Sequence, residues 1–143
     1  MRKAERMGST IEELVGKEFA MDWPVADGDT AQHWGSGALP VLASPRLVAF
    51  MEATCCHLLH DALPQGQTTV GVEFTLHHLR PTLPGVTIQV CATLTAAQGR
   101  TLEFTLEASY RGEQLARASH SRVVVDAQRF MSKLANPPET QHH

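Results

Sequence analysis

The hydrophobic pattern of this 143-residue chain changes its period once, and the change falls at Pro64. Before Pro64, apolar residues recur every three or four positions from Leu47 to Ala62, which predicts a helix with a buried apolar face. The helix is predicted to begin at Ser44-Pro45, because serine is a favoured N-cap and proline suits the first turn. After Pro64 the apolar residues alternate with polar ones, which predicts strands.

Four alternating segments follow Pro64, and one strand is predicted ahead of the helix, over residues 17–25. The later strands are predicted over residues 70–78, 86–94, 101–110 and 113–126, with tight turns at Gln98-Gly99 and Arg111-Gly112. In the first of these four, uninterrupted alternation divides the side chains between two faces. Val70, Val72, Phe74, Leu76 and His78 are predicted to face the helix, and Gly71, Glu73, Thr75 and His77 to face away from it.

One apolar helix followed by antiparallel strands needs a sheet wrapped around it. The pattern therefore predicts an α+β hot-dog fold, an antiparallel sheet around one long central helix, as a single domain over residues 1–143. Residues 1–15 are expected to be a flexible lead, and residues 128–143 a C-terminal tail with a short helix that breaks at Pro137-Pro138. A lone curved sheet leaves an unpaired edge, so we expect a homodimer or a dimer of dimers.

Charge and composition argue against several function classes. A net charge of -3 without a basic cluster disfavours a nucleic-acid partner, and no apolar run approaches the roughly 20 residues that cross a bilayer. The opening MRKAERMGST lacks the apolar segment of a secretory signal, and three cysteines without a Cys-x-x-Cys motif suggest reduced thiols. These features predict a cytoplasmic protein. His57, His60 and Asp61 have helical spacing, but a metal site would need a further ligand, so neither metal nor cofactor is expected.

Three side chains form a candidate catalytic group. Ser44 lies at the predicted helix start, Glu52 on the apolar helix, and His78 on the first strand after it, pointing toward the helix. A carboxylate and an imidazole aimed into one interface suit acid–base or nucleophilic chemistry. Each also has a plainer interpretation: an N-cap, a partly solvated flank residue and a rim histidine. On one straight helix Ser44 and Glu52 would lie about 12 Å apart, so we hypothesise a composite site built across a dimer interface.

Over residues 16–133 the sequence resembles the hot-dog thioesterases related to fluoroacetyl-CoA thioesterase. The resemblance rests on SGALPVLASPRLVAFMEATC, TVGVEFTLHHLRPTLPG and SHSRVVVDAQRFMSKL. In that family a threonine at the helix start, a glutamate within the helix and a histidine on the following strand form the active site. Ser44, Glu52 and His78 occupy the matching positions. The resemblance implies an acyl-CoA thioesterase acting on a small acyl group, with Gly71 matching a glycine that faces this group.

This chain departs from the family pattern at Ser44 and in the loop before the helix. Ser44 keeps the hydroxyl of the usual threonine but not its methyl group. The loop carries Trp34 and Gly35-Ser36-Gly37 without any phenylalanine, whereas the fluoroacetyl-specific enzyme closes its pocket with phenylalanines. The loop therefore favours a different small acyl group, and we expect Trp34 and Gly35 to contact the substrate.

Arg122 belongs to a segment, SHSR, that resembles a His-x-Arg pattern on the family's last strand. We expect Arg122 to bind a CoA phosphate or to lie at an interface, with a surface ion pair as the alternative.

Two other functions are open from the sequence. A non-catalytic hot-dog protein could bind acyl-CoA or another small ligand without turnover, and the serine at position 44 leaves room for this. A hot-dog dehydratase or hydratase would carry an acid–histidine pair in a different motif, which the sequence does not contain. If the chain is a thioesterase, Glu52→Gln should abolish hydrolysis while acyl-CoA still binds.

Overall fold

In the computed structural model, which describes residues 9–136, five antiparallel strands form one sheet against one long helix. The helices are α1 (Ile11–Leu14), α2 (Ala31–Trp34), α3 (Ser44–Leu59) and α4 (Ala127–Ala135), with a 3-10 turn at Asp27–Asp29. The strands are β1 (Glu18–Pro24), β2 (Gln67–His78), β3 (Thr87–Gln98), β4 (Thr101–Tyr110) and β5 (Glu113–Asp126). Their order is β1-β3-β4-β5-β2, so β1 and β2 form the edges of the sheet.

The hydrophobic core lies between α3 and the helix-facing side of the central strands. Alternate residues of β3 and β4 are at most 2% exposed, as the period of two requires: Ile88, Val90, Ala92 and Leu94, then Leu102, Phe104, Leu106 and Ala108. Helix α3 contributes Leu47, Phe50, Met51, Cys55, Leu58 and Leu59 to the same cluster. This packing fixes the position of α3 against the sheet and thereby the backbone positions from which Ser44 and Glu52 extend.

The predicted N-cap of the central helix is wrong by one residue. Ala43 is the N-cap and makes no side-chain capping bond, and Ser44 is already the first helical residue. The hydroxyl of Ser44 instead bonds to a side chain of β2. The helix ends at Leu59 rather than running on to Pro64, because residues 60–62 form turns with bonds such as Ala62 N–H to Leu59 C=O.

The predicted uninterrupted alternation of β2 is also wrong, because the strand contains a β-bulge. Gly71 pairs with Arg122 and Glu73 with Ser121, so Val72 is an extra residue with no partner across the ladder. Val72 is 58% exposed, and the helix-facing positions before it are Thr69 and Gly71. Beyond the bulge the predicted phase holds, with Phe74, Leu76 and His78 less exposed than their neighbours.

The two ends of the described chain carry short helices. Thr10 and Glu13 form a capping box at the start of α1, and Ile11 and Leu14 pack against the core, so residues 10–14 of the predicted lead are attached to the fold. Helix α4 continues directly from β5 after an N-cap at Asp126. The predicted break at Pro137-Pro138 lies outside the described residues. No helix between residues 9 and 136 is long and apolar enough to cross a membrane.

Candidate active site

The first component of the site is a hydroxyl–imidazole pair, Ser44 and His78. The first residue of α3 and the last residue of β2 meet where the helix begins, with Ser44 Oγ 2.8 Å from His78 Nδ1. Burial lowers the pKa of His78 below its ordinary value of 6.5, so the ring is neutral at pH 7. Its Nε2 atom is buried and has no hydrogen bond of ordinary geometry to any described residue, although the Arg80 backbone lies close enough to the ring to oppose part of the pKa shift. The pair can therefore pass a proton between oxygen and nitrogen, with one ring nitrogen still unused.

A groove of about 340 Å³ opens beside this pair. Apart from Ser44 and His78, its walls come from the first turn of α3, the chain before that helix and the segment after β2. They are formed by Ala31, Ser36, Val41, Leu42, Pro45, Leu79, Arg80 and Pro81. Most of these side chains are small or aliphatic, which suits an apolar group positioned next to a polar pair.

The second component is the carboxylate of Glu52, two turns further along α3. Its side chain is 40% exposed, and Oε2 lies 3.3 Å from Nη1 of Arg122 and 3.8 Å from Nε2 of His120. The predicted carboxylate on the flank of an apolar helix is thus paired with a guanidinium from β5.

Arg122 is the buried cation that holds the Glu52 carboxylate in this second component. It is 6% exposed, and its guanidinium donates from Nε to Thr69 Oγ1 at 2.8 Å and from Nη2 to the Thr69 carbonyl at 3.1 Å. Nη1 faces both Glu52 and the ring of His120, whose Nε2 lies at 3.0 Å. Contacts inside the chain thus occupy Nε and both Nη atoms, which favours orientation of Glu52 over the predicted binding of a CoA phosphate.

Gly71 makes room for the Glu52 carboxylate. A Cβ atom at Gly71 would lie 2.7 Å from Oε2 of Glu52, closer than real Cβ contacts come, and 3.1 Å from Cε1 of His120. The absent side chain therefore lets the carboxylate lie against the backbone of the edge strand β2. The bulge at Val72 is what turns Gly71 toward the helix.

The site residues predicted from the sequence lie in two separate clusters, with two residues outside both. Ser44 and His78 are together, and Glu52, Gly71 and Arg122 form a second cluster. The other two predicted residues do not line the groove beside Ser44.

Trp34 ends α2, is 49% exposed, and donates its Nε1–H to the Gly28 carbonyl at 2.8 Å. Gly35 follows as the C-cap residue in the left-handed region, at φ 74°. Their neighbours Ala31 and Ser36 are the residues that reach the groove. A contact of Trp34 or Gly35 with substrate stays a prediction.

Thr69 and His120, which both contact Arg122 of the second cluster, were not predicted as site residues. His120 is two residues before Arg122 on one strand, so the period of two could have placed both on the helix side. Thr69 carried no comparable signal, because the bulge that turns it inward is not visible in the alternation. Within residues 9–136, no three histidine, cysteine, aspartate or glutamate side chains are grouped so as to hold a metal ion.

Comparisons with known proteins identify the family and the fold of the chain. A family model described as fluoroacetyl-CoA-specific thioesterase matches residues 25–128. The fluoroacetyl-CoA thioesterase of Streptantibioticus cattleyicolor is 27% identical over 126 residues, which cover 84% of this chain and 91% of that protein. A solved structure of a fluoroacetyl-CoA thioesterase superposes with a TM-score of 0.81 at 25% identity, covering 87% of this chain and 96% of that one.

A hot-dog-like protein from Thermanaerovibrio acidaminovorans superposes with a TM-score of 0.77 at 23% identity, covering 94% of this chain and 96% of its own. At that identity the likeness concerns the fold alone. Together with the sheet order, it confirms the predicted hot-dog architecture.

Proposed function

The chain belongs to the fluoroacetyl-CoA-specific thioesterase family, and from this premise we infer that it is an acyl-CoA thioesterase-like hydrolase. The observation that carries the inference is the coincidence of family membership with a hydroxyl–imidazole pair beside a groove and a carboxylate fixed by a buried arginine. Hydrolysis of a thioester needs either a base that activates water or a nucleophile that attacks the carbonyl carbon, and it needs a proton donor for the departing thiolate. Glu52 and the pair of Ser44 with His78 offer these groups.

In the proposed reaction, Glu52 takes a proton from the attacking water as the water oxygen bonds to the thioester carbon. Ser44 donates a hydrogen bond to the carbonyl oxygen, where negative charge develops. The C–S bond then breaks, and Glu52 returns the proton it took from water to the departing CoA thiolate, while His78 orients the Ser44 hydroxyl on the carbonyl oxygen. A direct attack by Glu52, through an anhydride, is the alternative. In that route the Glu52 oxygen bonds to the thioester carbon as the C–S bond breaks, and water then hydrolyses the anhydride. Attack of ¹⁸O-labelled water on the glutamyl carbonyl would place the label in the Glu52 carboxylate, which the general-base route never does.

We further propose that the working site is composite and that the protein is a homodimer. Glu52 and Ser44 are on the same helix, eight residues apart in sequence, which corresponds to about 12 Å of helix rise. The Glu52 carboxylate lies against β2, an edge strand with unpaired backbone groups, and is 40% exposed. A second copy that docks along β2 could bring its own Ser44 and His78 to this carboxylate.

Mixing two inactive variants tests the composite site. Ser44→Ala and Glu52→Gln are each expected to lose thiol release from acyl-CoA. In a randomly re-formed mixture half of the dimers are hybrids with one intact composite site of two, so about a quarter of the wild-type activity should return. Each variant re-formed with itself is the matched control. A mixture as inactive as its components would show that each site lies within one chain.

The groove beside Ser44 supports an acyl group other than fluoroacetyl as the substrate. Its lining contains aliphatic residues such as Ala31, Val41 and Leu42 and no phenylalanine or tryptophan. A panel of acetyl-, fluoroacetyl-, propionyl- and butyryl-CoA, with thiol release as the readout, should show the highest kcat/KM for one of the three unfluorinated acyl groups.

A cytoplasmic location is consistent with Cys55, Cys56 and Cys91, which are all free.

A further inference from the structure

His120 is a buried imidazole that the proposed reaction does not use. It is 2% exposed, and its ring lies between Phe74 and Phe104, with centroid distances of 4.7 and 6.1 Å. Its Nδ1 atom is 2.7 Å from the Glu73 carbonyl oxygen, and its Nε2 atom is 3.0 Å from Nη1 of Arg122. Both ring nitrogens therefore have one partner, in a part of the fold with little access to water.

The chemistry of these two partners fixes the protonation state of the ring. A carbonyl oxygen only accepts hydrogen bonds, so Nδ1 of His120 must carry a proton. A guanidinium only donates, so Nε2 must present its lone pair. The two demands select one species, the neutral tautomer with the proton on Nδ1. In the other neutral tautomer and in the imidazolium, an N–H of His120 would point at an N–H of Arg122, so two donors would face each other.

We propose that His120 is a positioning residue for the proposed thioesterase reaction, which holds the Arg122 guanidinium so that Nη1 presents a donor to Glu52. Nη1 has two N–H groups, and the contacts to His120 at 3.0 Å and to Glu52 at 3.3 Å can use one each. Removal of the acceptor leaves a buried N–H of Nη1 without a partner. The two bonds to Thr69 still hold Nε and Nη2, so the guanidinium tilts about them as Nη1 turns toward another acceptor. The carboxylate would then lose its fixed orientation.

The charges around His120 are consistent with a neutral ring. Arg122 on β5 disfavours a second positive charge, whereas Glu52 on α3 and Glu103 on β4 favour it. Burial, the largest cause, outweighs both carboxylates and the hydrogen bond to the Glu73 carbonyl, which also favours the charged ring, and lowers the pKa of His120 below 6.5. Cys55 on α3 also faces this cluster, and its thiol is protonated because burial raises its pKa to about 12. Arg122 and Glu52 are therefore the oppositely charged pair, and His120 acts on it as a neutral acceptor.

Nitrogen NMR of the wild-type protein tests the tautomer without any substitution. In a uniformly ¹⁵N-labelled sample at pH 7, long-range ¹H–¹⁵N correlations should show the His120 proton on Nδ1 and an unprotonated Nε2. A proton on Nε2, or a charged ring at that pH, would overturn the proposal. This measurement does not depend on turnover, so it decides the hydrogen-bond chain even if the wild type hydrolyses no acyl-CoA and the proposed function fails.

Two substitutions then separate positioning from packing. His120→Leu fills the space between Phe74 and Phe104 but removes the acceptor, so kcat should fall by about tenfold to a hundredfold, as expected for a misplaced catalytic group, with KM within about twofold. His120→Gln returns an acceptor oxygen near the position of Nε2 and should regain most of the lost kcat. His77→Gln, on an exposed histidine of β2, is the matched control and should keep wild-type kinetics.

Equal losses of kcat in His120→Leu and His120→Gln would mean that the ring only fills space and would refute the positioning role, as would an unchanged kcat in His120→Leu. If His120→Leu does not fold, wild-type-like kcat in His120→Gln supports the proposal and a tenfold loss in this folded variant contradicts it. Circular dichroism and the thermal midpoint establish folding for each variant.

Discussion

The substitution Gly71→Ala tests whether space beside Glu52 is essential. The new Cβ would lie 2.7 Å from Oε2 of Glu52, and ordinary contact begins at 3.4 Å, so the carboxylate must move by about 0.7 Å. Cε1 of His120, at 3.1 Å, must move by a few tenths of an ångström, whereas Nη1 of Arg122 at 3.4 Å is already at contact distance. Because displacements of about 1 Å can cost a hundredfold in rate, we expect kcat to fall by about tenfold to a hundredfold.

The same substitution should have little effect on folding stability. The atom that must move furthest belongs to a side chain that is 40% exposed, the buried His120 ring must move by only a few tenths of an ångström, and Gly71 does not have a positive φ, so alanine fits the backbone. The overpacking cost of about 1 kcal/mol is opposed by the reduced freedom of the unfolded chain, worth about 0.4–1 kcal/mol. The net change in the free energy of unfolding should therefore stay within about 1 kcal/mol of zero.

Thiol release from acyl-CoA and urea unfolding on the same preparations are the two assays. Gly28→Ala is the control, because a Cβ there meets no atom within 4 Å and the residue has no positive φ. A Gly71→Ala protein with kcat within twofold of the wild type would refute the steric argument. A protein that loses activity only in proportion to its folded fraction would refute it as well.

Three further predictions concern other parts of the molecule. Iodoacetamide at pH 8 should alkylate exposed Cys56 well before buried Cys55, whose pKa burial raises to about 12, as peptide mass spectrometry would show; equal rates would contradict the buried position. Burial lowers the pKa of both His78 and His120, so the stability they contribute is present above pH 6.5 and lost as the pH falls toward their folded values; the urea midpoint should drop between pH 7.5 and 5.5, and a rise would refute this sign. Asp29→Ala should lower the free energy of unfolding by about 2–3 kcal/mol, measured in urea, because the Asp29 side chain is 12% exposed and accepts hydrogen bonds from the Ala26 N–H and from Nε of Arg46; a change below about 0.5 kcal/mol would contradict it.

The order of helix and strands could be predicted because hydrophobic period is a local property of the sequence. The helix over residues 44–59 and the strands after it repeat their apolar positions often enough to identify each element. The hot-dog fold then follows, since a single helix with that much apolar surface has only a sheet to cover it.

The details of the site depend on contacts between distant residues, which the period does not report. Ser44 has the local signature of an N-cap, but its hydroxyl bonds to His78, which is 34 residues away. The bulge is hidden because Val70 and Val72 look like a continuous apolar face, although the pairing with β5 skips Val72. Glu52 was the exception, because a carboxylate on an apolar helix face calls for a partner wherever it occurs.

The second cluster holds its carboxylate rigidly although it lies at the surface. Arg122 is buried and keeps its positive charge, so the fold must supply an anion to it, and removing that anion would leave an unpaired charge inside the protein. Thr69 fixes the plane of the guanidinium through two hydrogen bonds, and this plane directs Nη1 toward Glu52. A lysine has no such planar fork, so Arg122→Lys should keep the charge but lose the orientation. The Glu52 side chain is 40% exposed and that of Arg122 only 8%, so the reacting carboxylate is accessible while the cation that orients it is covered.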